Sequence, residues 1–156
     1  MKYLIRKCEE RDLENLISLC AKHAAYEQAA HSQTGKAEAL KHLLFKENPP
    51  LFCWIIDIDR QAAGYFSYTF DYSTWDAQNF LYLDCLYIEA NFRGLGIGEE
   101  VFKKLRRIAE QENCINIQWQ TPSSNEAAIR FYHRMGAQSF QKQRFCLRIA
   151  AKDERP

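Results

Sequence analysis

Three alternate glycines in Asn91-Phe92-Arg93-Gly94-Leu95-Gly96-Ile97-Gly98-Glu99 separate a hydrophobic run from a stretch with helical periodicity. Glycine has no Cβ, so such a turn can aim several backbone N–H groups at one point, and the helix that follows adds the positive end of its dipole. Arg93 can add a fork of fixed charge. These groups together suit a phosphate or pyrophosphate. A nucleotide-triphosphatase loop would need Lys and then Ser or Thr after the last glycine, where this chain has Glu99 and Glu100. A dinucleotide fingerprint would need an acid about 20 residues further on, and Gln118-Trp119-Gln120 supplies none. Glu99 and Glu100 complement a first helical turn and are expected to point away from a bound anion. The bland alternative is a connector that binds nothing.

The elements that must position this turn alternate between strand and helix. Tyr3 to Lys7 reads as a strand, and Leu13, Leu16, Ile17 and Cys20 recur at helical spacing. A helix is expected over Lys36 to Phe45, ending before Asn48-Pro49-Pro50. Strands follow at Leu51 to Asp57 and Ala62 to Tyr72, joined by a turn near Asp59-Arg60, with another at Phe80 to Ile88. Ile97, Val101, Leu105 and Ile108 mark one face of the helix after the glycines, and Lys103, Lys104, Arg106 and Arg107 mark its wet face. Ile115 to Trp119 reads as a strand, Asn125 to Met135 as a helix closed by Gly136, and Phe145 to Ile149 as a last strand.

The 156 residues, 47% hydrophobic and 13% aromatic, suffice for one compact domain, residues 1–156. Lys and Arg number 21 against 20 Asp and Glu, so no overall field favours nucleic acid or an anionic membrane. The cysteines Cys8, Cys20, Cys53, Cys85, Cys114 and Cys146 show no C-x-x-C spacing, and His23, His31, His42 and His133 show no ligand spacing, so no metal is expected. With no apolar leader and no membrane-length run, a cytoplasmic protein with reduced thiols is expected.

In this order of elements the chain resembles the GNAT superfamily of N-acetyltransferases, and within it the diamine (spermidine/spermine) and thialysine enzymes. Four stretches carry the resemblance: Ala21 to Glu27; Tyr72-Ser73-Thr74-Trp75; Leu81 to Ile88 leading into Arg93 to Gly98; and Asn125 to Tyr132 with Met135-Gly136-Ala137. It implies a mixed α/β (α+β) fold, with a central sheet of six to seven strands splayed at a coenzyme site and about four helices around it. It also implies acetyl-coenzyme A as donor and a homodimer. The pyrophosphate would sit on the turn formed by Arg93, Gly94, Leu95, Gly96, Ile97, Gly98 and Glu99. The pantetheine arm would pair with Leu86, Tyr87 and Ile88 like an added strand. Gln118, Trp119, Gln120, Asn125 and Ala128 would complete the groove, although Asn125 also reads as a helix N-cap.

The same resemblance makes Tyr132 the proton donor to the departing thiolate, against an ordinary core aromatic. Asp84 interrupts an apolar strand expected to be central. A buried carboxylate is costly, so it should face a cavity, where it could deprotonate the acceptor amine, or be a structural acid at a strand bulge. Tyr26, Glu27 and Trp75, with Asp84, match the acceptor region. Polyamines need several spaced acids, and two positions where acids would be expected hold Ser73 and Cys85. The activity expected is therefore acetylation of a primary amine on a small molecule, diamine-like, thialysine-like or a monoamine. Acetylation of a protein or peptide amine, or a non-catalytic coenzyme sensor, are the alternatives.

Overall fold

The computed structural model describes residues 2–147 and 149. The chain divides into two units, Met1–Pro122 and Ser123–Pro156. The first holds a five-stranded sheet in the order β1 (Tyr3–Lys7), β2 (Phe52–Ile58), β3 (Gln61–Ser73), β4 (Gln78–Ile88), β5 (Ile117–Trp119). The first four strands are antiparallel neighbours and β5 joins β4 in parallel, so the sheet is mixed. Around it in sequence are α1 (Leu13–Tyr26), α2 (Lys36–Leu44) and α3 (Ile97–Gln111). The second unit contains α4 (Glu126–Arg134).

Among the described residues the sheet therefore has five strands where six to seven were expected. The last expected strand, Phe145 to Ile149, carries no strand at residues 145–147 or 149, and Arg148 lies outside the described residues. Period-2 alternation signals a face to bury but names no partner strand, and pairing is what makes a strand.

Turn chemistry sets the register of the hairpins. Asp59 and Arg60 both adopt positive φ, 47° and 70°, between the paired Ile58 and Gln61. This is the two-residue turn whose twist matches the flanking strands. Gly64 lets β3 and β4 approach closely, since a Cβ there would lie 2.6 Å from the Tyr87 carbonyl oxygen.

Each sheet face takes its own helices. Cys53, Ile55, Tyr65 and Tyr87 pack with Leu16 and Leu19 of α1 and Leu44 of α2. On the other face Trp54 stacks on Phe66 at 6.0 Å and lies under Lys104 of α3 at 4.1 Å. Helix α3 buries Ile97, Val101 and Leu105 of the expected stripe together with Phe102 and Ala109, while Ile108 is half-buried. Near the open edge of the sheet, Arg6 donates to both carboxylate oxygens of Asp12, at 2.6 and 2.8 Å, and to Asp57 at 2.6 Å. That bidentate pair holds the buried Asp12 carboxyl below the usual carboxylate range.

Candidate active site

After β4 the chain makes one 3-10 turn, Ala90–Phe92, then reaches Gly94 with φ 76° and Gly96 with φ 80°. A Cβ at either glycine would meet nothing within 4 Å, so the backbone conformation demands glycine and the space above the turn is open. Gly98 already belongs to α3. The Glu99 and Glu100 amides fold back onto the Gly96 carbonyl at 3.1 and 3.3 Å, and Glu99 is exposed. Among the described residues, the amides of Gly94, Leu95, Gly96, Ile97 and Gly98 find no acceptor within the protein. They form a row of donors at a helix N-terminus. Arg93 departs from expectation: its Nε donates to the Ile88 carbonyl at 2.7 Å, and its guanidinium lies 4.2 Å over the Tyr26 ring. The aromatic face at the end of α1 outcompetes open solvent for this cation.

Strand β5 pairs with β4 only at Leu81↔Ile117, Tyr82↔Gln118 and Leu83↔Trp119. Beyond Leu83 the β5-side edge of β4, including Leu86, Tyr87 and Ile88, has no ladder partner among the described residues. The parting coincides with an irregularity on the other side of the strand. Tyr68 pairs with Leu83 and Ser67 with Cys85, which leaves Asp84 as the extra residue of a bulge. Asp84 is exposed rather than buried, and accepts a hydrogen bond from Ser67 Oγ at 3.3 Å. The bulge relieves the burial cost that the sequence pattern implied, because it lifts the carboxylate out of the ladder at the point where the sheet opens. On the β5 side, Gln118 Nε2 donates to Asn116 Oδ1 at 3.1 Å, Trp119 packs edge-on against Phe102 at 5.0 Å, and Gln120 is exposed.

The end of α1 lies against the same face as Tyr65 and Tyr87. Tyr26 is 6.4 Å from the Tyr87 ring, and the exposed Glu27 accepts from His23 Nε2 at 3.2 Å. Trp75 is not brought to Asp84 within one chain. It is 99% exposed in the β3–β4 turn, and the six residue steps from Gln78 to Asp84 span about 20 Å. Tyr72 is likewise exposed, whereas Tyr65, Phe66 and Tyr68 belong to the core. Asp71 accepts from Thr69 at 3.3 Å and Asp76 from Ser73 at 2.6 Å, near that same turn. Burial pushes the Cys85 thiol up to about 12, so this position contributes no charge near neutrality. Among the described residues no group of three or more His, Cys, Asp or Glu could hold a metal ion.

In the second unit, the Asn125 side chain caps α4 by accepting from the Ala128 amide at 3.3 Å, as its N-cap reading required. Tyr132 is half-buried on α4, its ring 5.4 Å from Phe131. Gly136 follows the helix with φ 84°.

A family model described as the acetyltransferase (GNAT) family matches residues 16–137. The chain belongs to the acetyltransferase (GNAT) family. It is 32% identical over 142 residues to a thialysine N-epsilon-acetyltransferase of Sus scrofa, covering 86% of this chain and 83% of that protein. It is 30% identical to a spermidine/spermine N(1)-acetyltransferase-like protein 1 of Homo sapiens, over 86% of this chain and 20% of that longer protein. In fold it is similar to an aminoglycoside N-acetyltransferase solved in complex with CoA, with TM-score 0.79, 16% identity and 96% of each chain covered. As a GNAT protein with acetyltransferase relatives over most of its length, the chain is an N-acetyltransferase.

Two polar residues of this acetyltransferase gave little sequence signal. His23 bonds Tyr65 Oη through Nδ1 at 3.0 Å and stacks on Tyr87 at 5.3 Å. A lone helical histidine has no spacing to read. Ser67, buried beside Asp84, was legible only as a hydroxyl within an aromatic strand. No helix among the described residues is long and apolar enough to cross a membrane.

Proposed function

We propose that residues 1–156 work as one acetyl-CoA-dependent N-acetyltransferase domain that modifies a primary amine of a small molecule. The observation that carries this is the opening of the sheet at Leu83. There a bulge presents Asp84, and an unpaired strand edge leads into the row of free amides at residues 94–98. Such an edge suits an amide-containing arm, and the amides suit a pyrophosphate, so the residues present fit acetyl-CoA. When bound, the thioester supplies an activated acetyl group. Leu86 to Ile88 would hold the arm and Gly94 to Gly98 the phosphates, with Gln118 and Gln120 on the β5 side of the opening. Asp84 takes a proton from the acceptor ammonium, directly or through water, because a protonated amine has no lone pair to attack with. The Tyr132 hydroxyl would supply the proton that the departing thiolate needs.

The acceptor class follows from charge. Cys85 is neutral, and Ser73 is occupied with Asp76 near the distant turn, which leaves Glu27 and Asp84 as the acids of the acceptor end. Thialysine-like amino acids or small monoamines are therefore preferred to spermine, in keeping with the name of the porcine relative. The enzyme acts in the cytoplasm as a homodimer. A thiol-release screen with acetyl-CoA over amino acids, monoamines, diamines and polyamines tests the reading. Thiol release with one of the first two classes as the best acceptor is expected. No amine-dependent release, or spermine as the best acceptor, would overturn it.

A further inference from the structure

Glu27 is not a free carboxylate. His23, one turn earlier on α1, reaches it through Nε2 at 3.2 Å while Nδ1 meets the buried Tyr65 hydroxyl at 3.0 Å. The His23 ring is stacked at 5.3 Å and 24° on Tyr87. The neighbours thus hold the imidazole from three sides, with one ring nitrogen aimed at the acid that would receive a cationic acceptor. The groups facing it are Glu27 just past the end of α1, Tyr65 on β3 and Tyr87 on β4. Arg93 lies 5.5 Å from the Tyr87 ring, and the Cys20 and Cys85 thiols flank the Tyr65 hydroxyl. Burial keeps that phenol protonated, so the Tyr65–His23 contact holds no anion near neutrality and Glu27 is the negative charge His23 meets directly.

We propose that His23 is a specificity-determining residue which decides, by its protonation, whether Glu27 can receive a second positive charge of the acceptor. The inference rests on the placement of the acceptor between Asp84 and Glu27 put forward above. Neutral His23, with its proton on Nε2, donates to Glu27 and leaves the carboxylate its full charge. Protonated His23 makes that contact a salt bridge, and a distal ammonium must then compete with an imidazolium already in place. Proton and second ammonium exclude each other by one coupling free energy, which is reciprocal. Acceptors carrying one amine do not use Glu27 in this way and are insensitive to the switch.

The test measures kcat/KM for α,ω-diaminoalkanes and for n-alkylamines of the same chain length between pH 5.5 and 8.5. Taking the ratio cancels the protonation needs of Asp84, Tyr132 and the reacting amine, because both acceptors share them. In the wild type the ratio should rise with pH by about tenfold, the size of one charge-assisted contact. His23→Gln, which keeps a donor but cannot titrate, should hold the ratio flat and high, and Glu27→Gln should hold it flat and low. His23→Phe, which preserves the ring on Tyr87, gives a second non-titrating variant should the first fail to fold. A flat wild-type ratio, or a ratio that still rises in His23→Gln, would overturn the inference. Absence of turnover with every amine would refute the proposed function instead. The His23 ring-proton titration followed by NMR still decides the coupling in that case. A 1,4-diaminobutane-induced drop in its midpoint, absent in Glu27→Gln, supports the coupling, and an unmoved midpoint overturns it.

Discussion

Gly96→Val separates a backbone built to bind from a backbone that merely turns. Gly96 sits at φ 80°, where an L-residue costs roughly 1–2 kcal/mol and a β-branched one more. A Cβ there meets nothing within 4 Å, so no clash adds to that strain. Folding should therefore lose only about 2 kcal/mol, a drop in Tm of about 4–8 °C for a chain of this size. Binding should lose more. The new side chain projects into the open space above the turn, and the strained residue turns its amide, and that of Ile97, away from a common point. Two charge-assisted hydrogen bonds at roughly 1.5–3 kcal/mol each amount to about 3–6 kcal/mol, or about 10²–10⁴-fold in Kd for coenzyme A. Asparagine tolerates the left-handed region, so Gly96→Asn should recover most of the lost Tm while still crowding the site. Calorimetric titration with coenzyme A alongside thermal melts gives both numbers. Wild-type affinity in Gly96→Val, with the melting temperature lowered as expected, would show that this turn does not hold the pyrophosphate.

Tyr132→Phe keeps the ring and removes the hydroxyl proton, so kcat should fall on the order of 10²-fold with little change in coenzyme Kd, measured by steady-state kinetics and calorimetry. Gly64→Ala places a Cβ 2.6 Å from a backbone oxygen of the next strand, so denaturant melts should show a loss of about 2–3 kcal/mol as β3 and β4 are forced apart. Arg60→Gly relieves a non-glycine residue at φ 70° in the β2–β3 turn and should stabilise by about 0.5–1 kcal/mol in the same assay. Because Arg6 lowers the Asp12 pKa on folding, the stability this pair contributes is present above the unfolded value near 4 and lost as pH falls through the lower folded value. Asp12→Asn should cost about 2 kcal/mol at pH 7 and remove that part of the acid slope, read from urea melts between pH 2 and 7.

Much of this architecture was legible because local chemistry and tertiary packing agree. Asp59-Arg60, the stripe Ile97-Val101-Leu105 and the Asn125 cap each carry their own signal, and each lies where that signal pointed. The positions that lie otherwise than their spacing suggested depend on partners distant in sequence. Asp84 looked buried because Phe80 to Ile88 is written as one apolar run; a strand bulge could be named there only as the alternative, because a bulge depends on the neighbouring strand, which the run does not contain. Arg93 looked like a phosphate ligand because its spacing from the glycines is local, whereas the Tyr26 ring that engages it arrives from α1. Trp75 looked like an acceptor contact because it falls within a stretch resembling the family. A hairpin of 13- and 11-residue strands carries it well beyond Asp84.

The bulge at Asp84 also acts as a change of phase in β4. Leu81 and Leu83 pair with Phe70 and Tyr68 on one side of the sheet, whereas Cys85 and Tyr87 pair with Ser67 and Tyr65 on the other. Four odd-numbered residues that would share a face in a regular strand are thus divided between two cores. Deleting Asp84 would restore regular pairing and force one half of the strand to present the wrong set of side chains, whichever end held its register. Substitution there tunes a carboxylate, but deletion rewrites two hydrophobic cores. For folding the position is therefore closed to change of length, and homologous chains should keep the extra residue of the bulge.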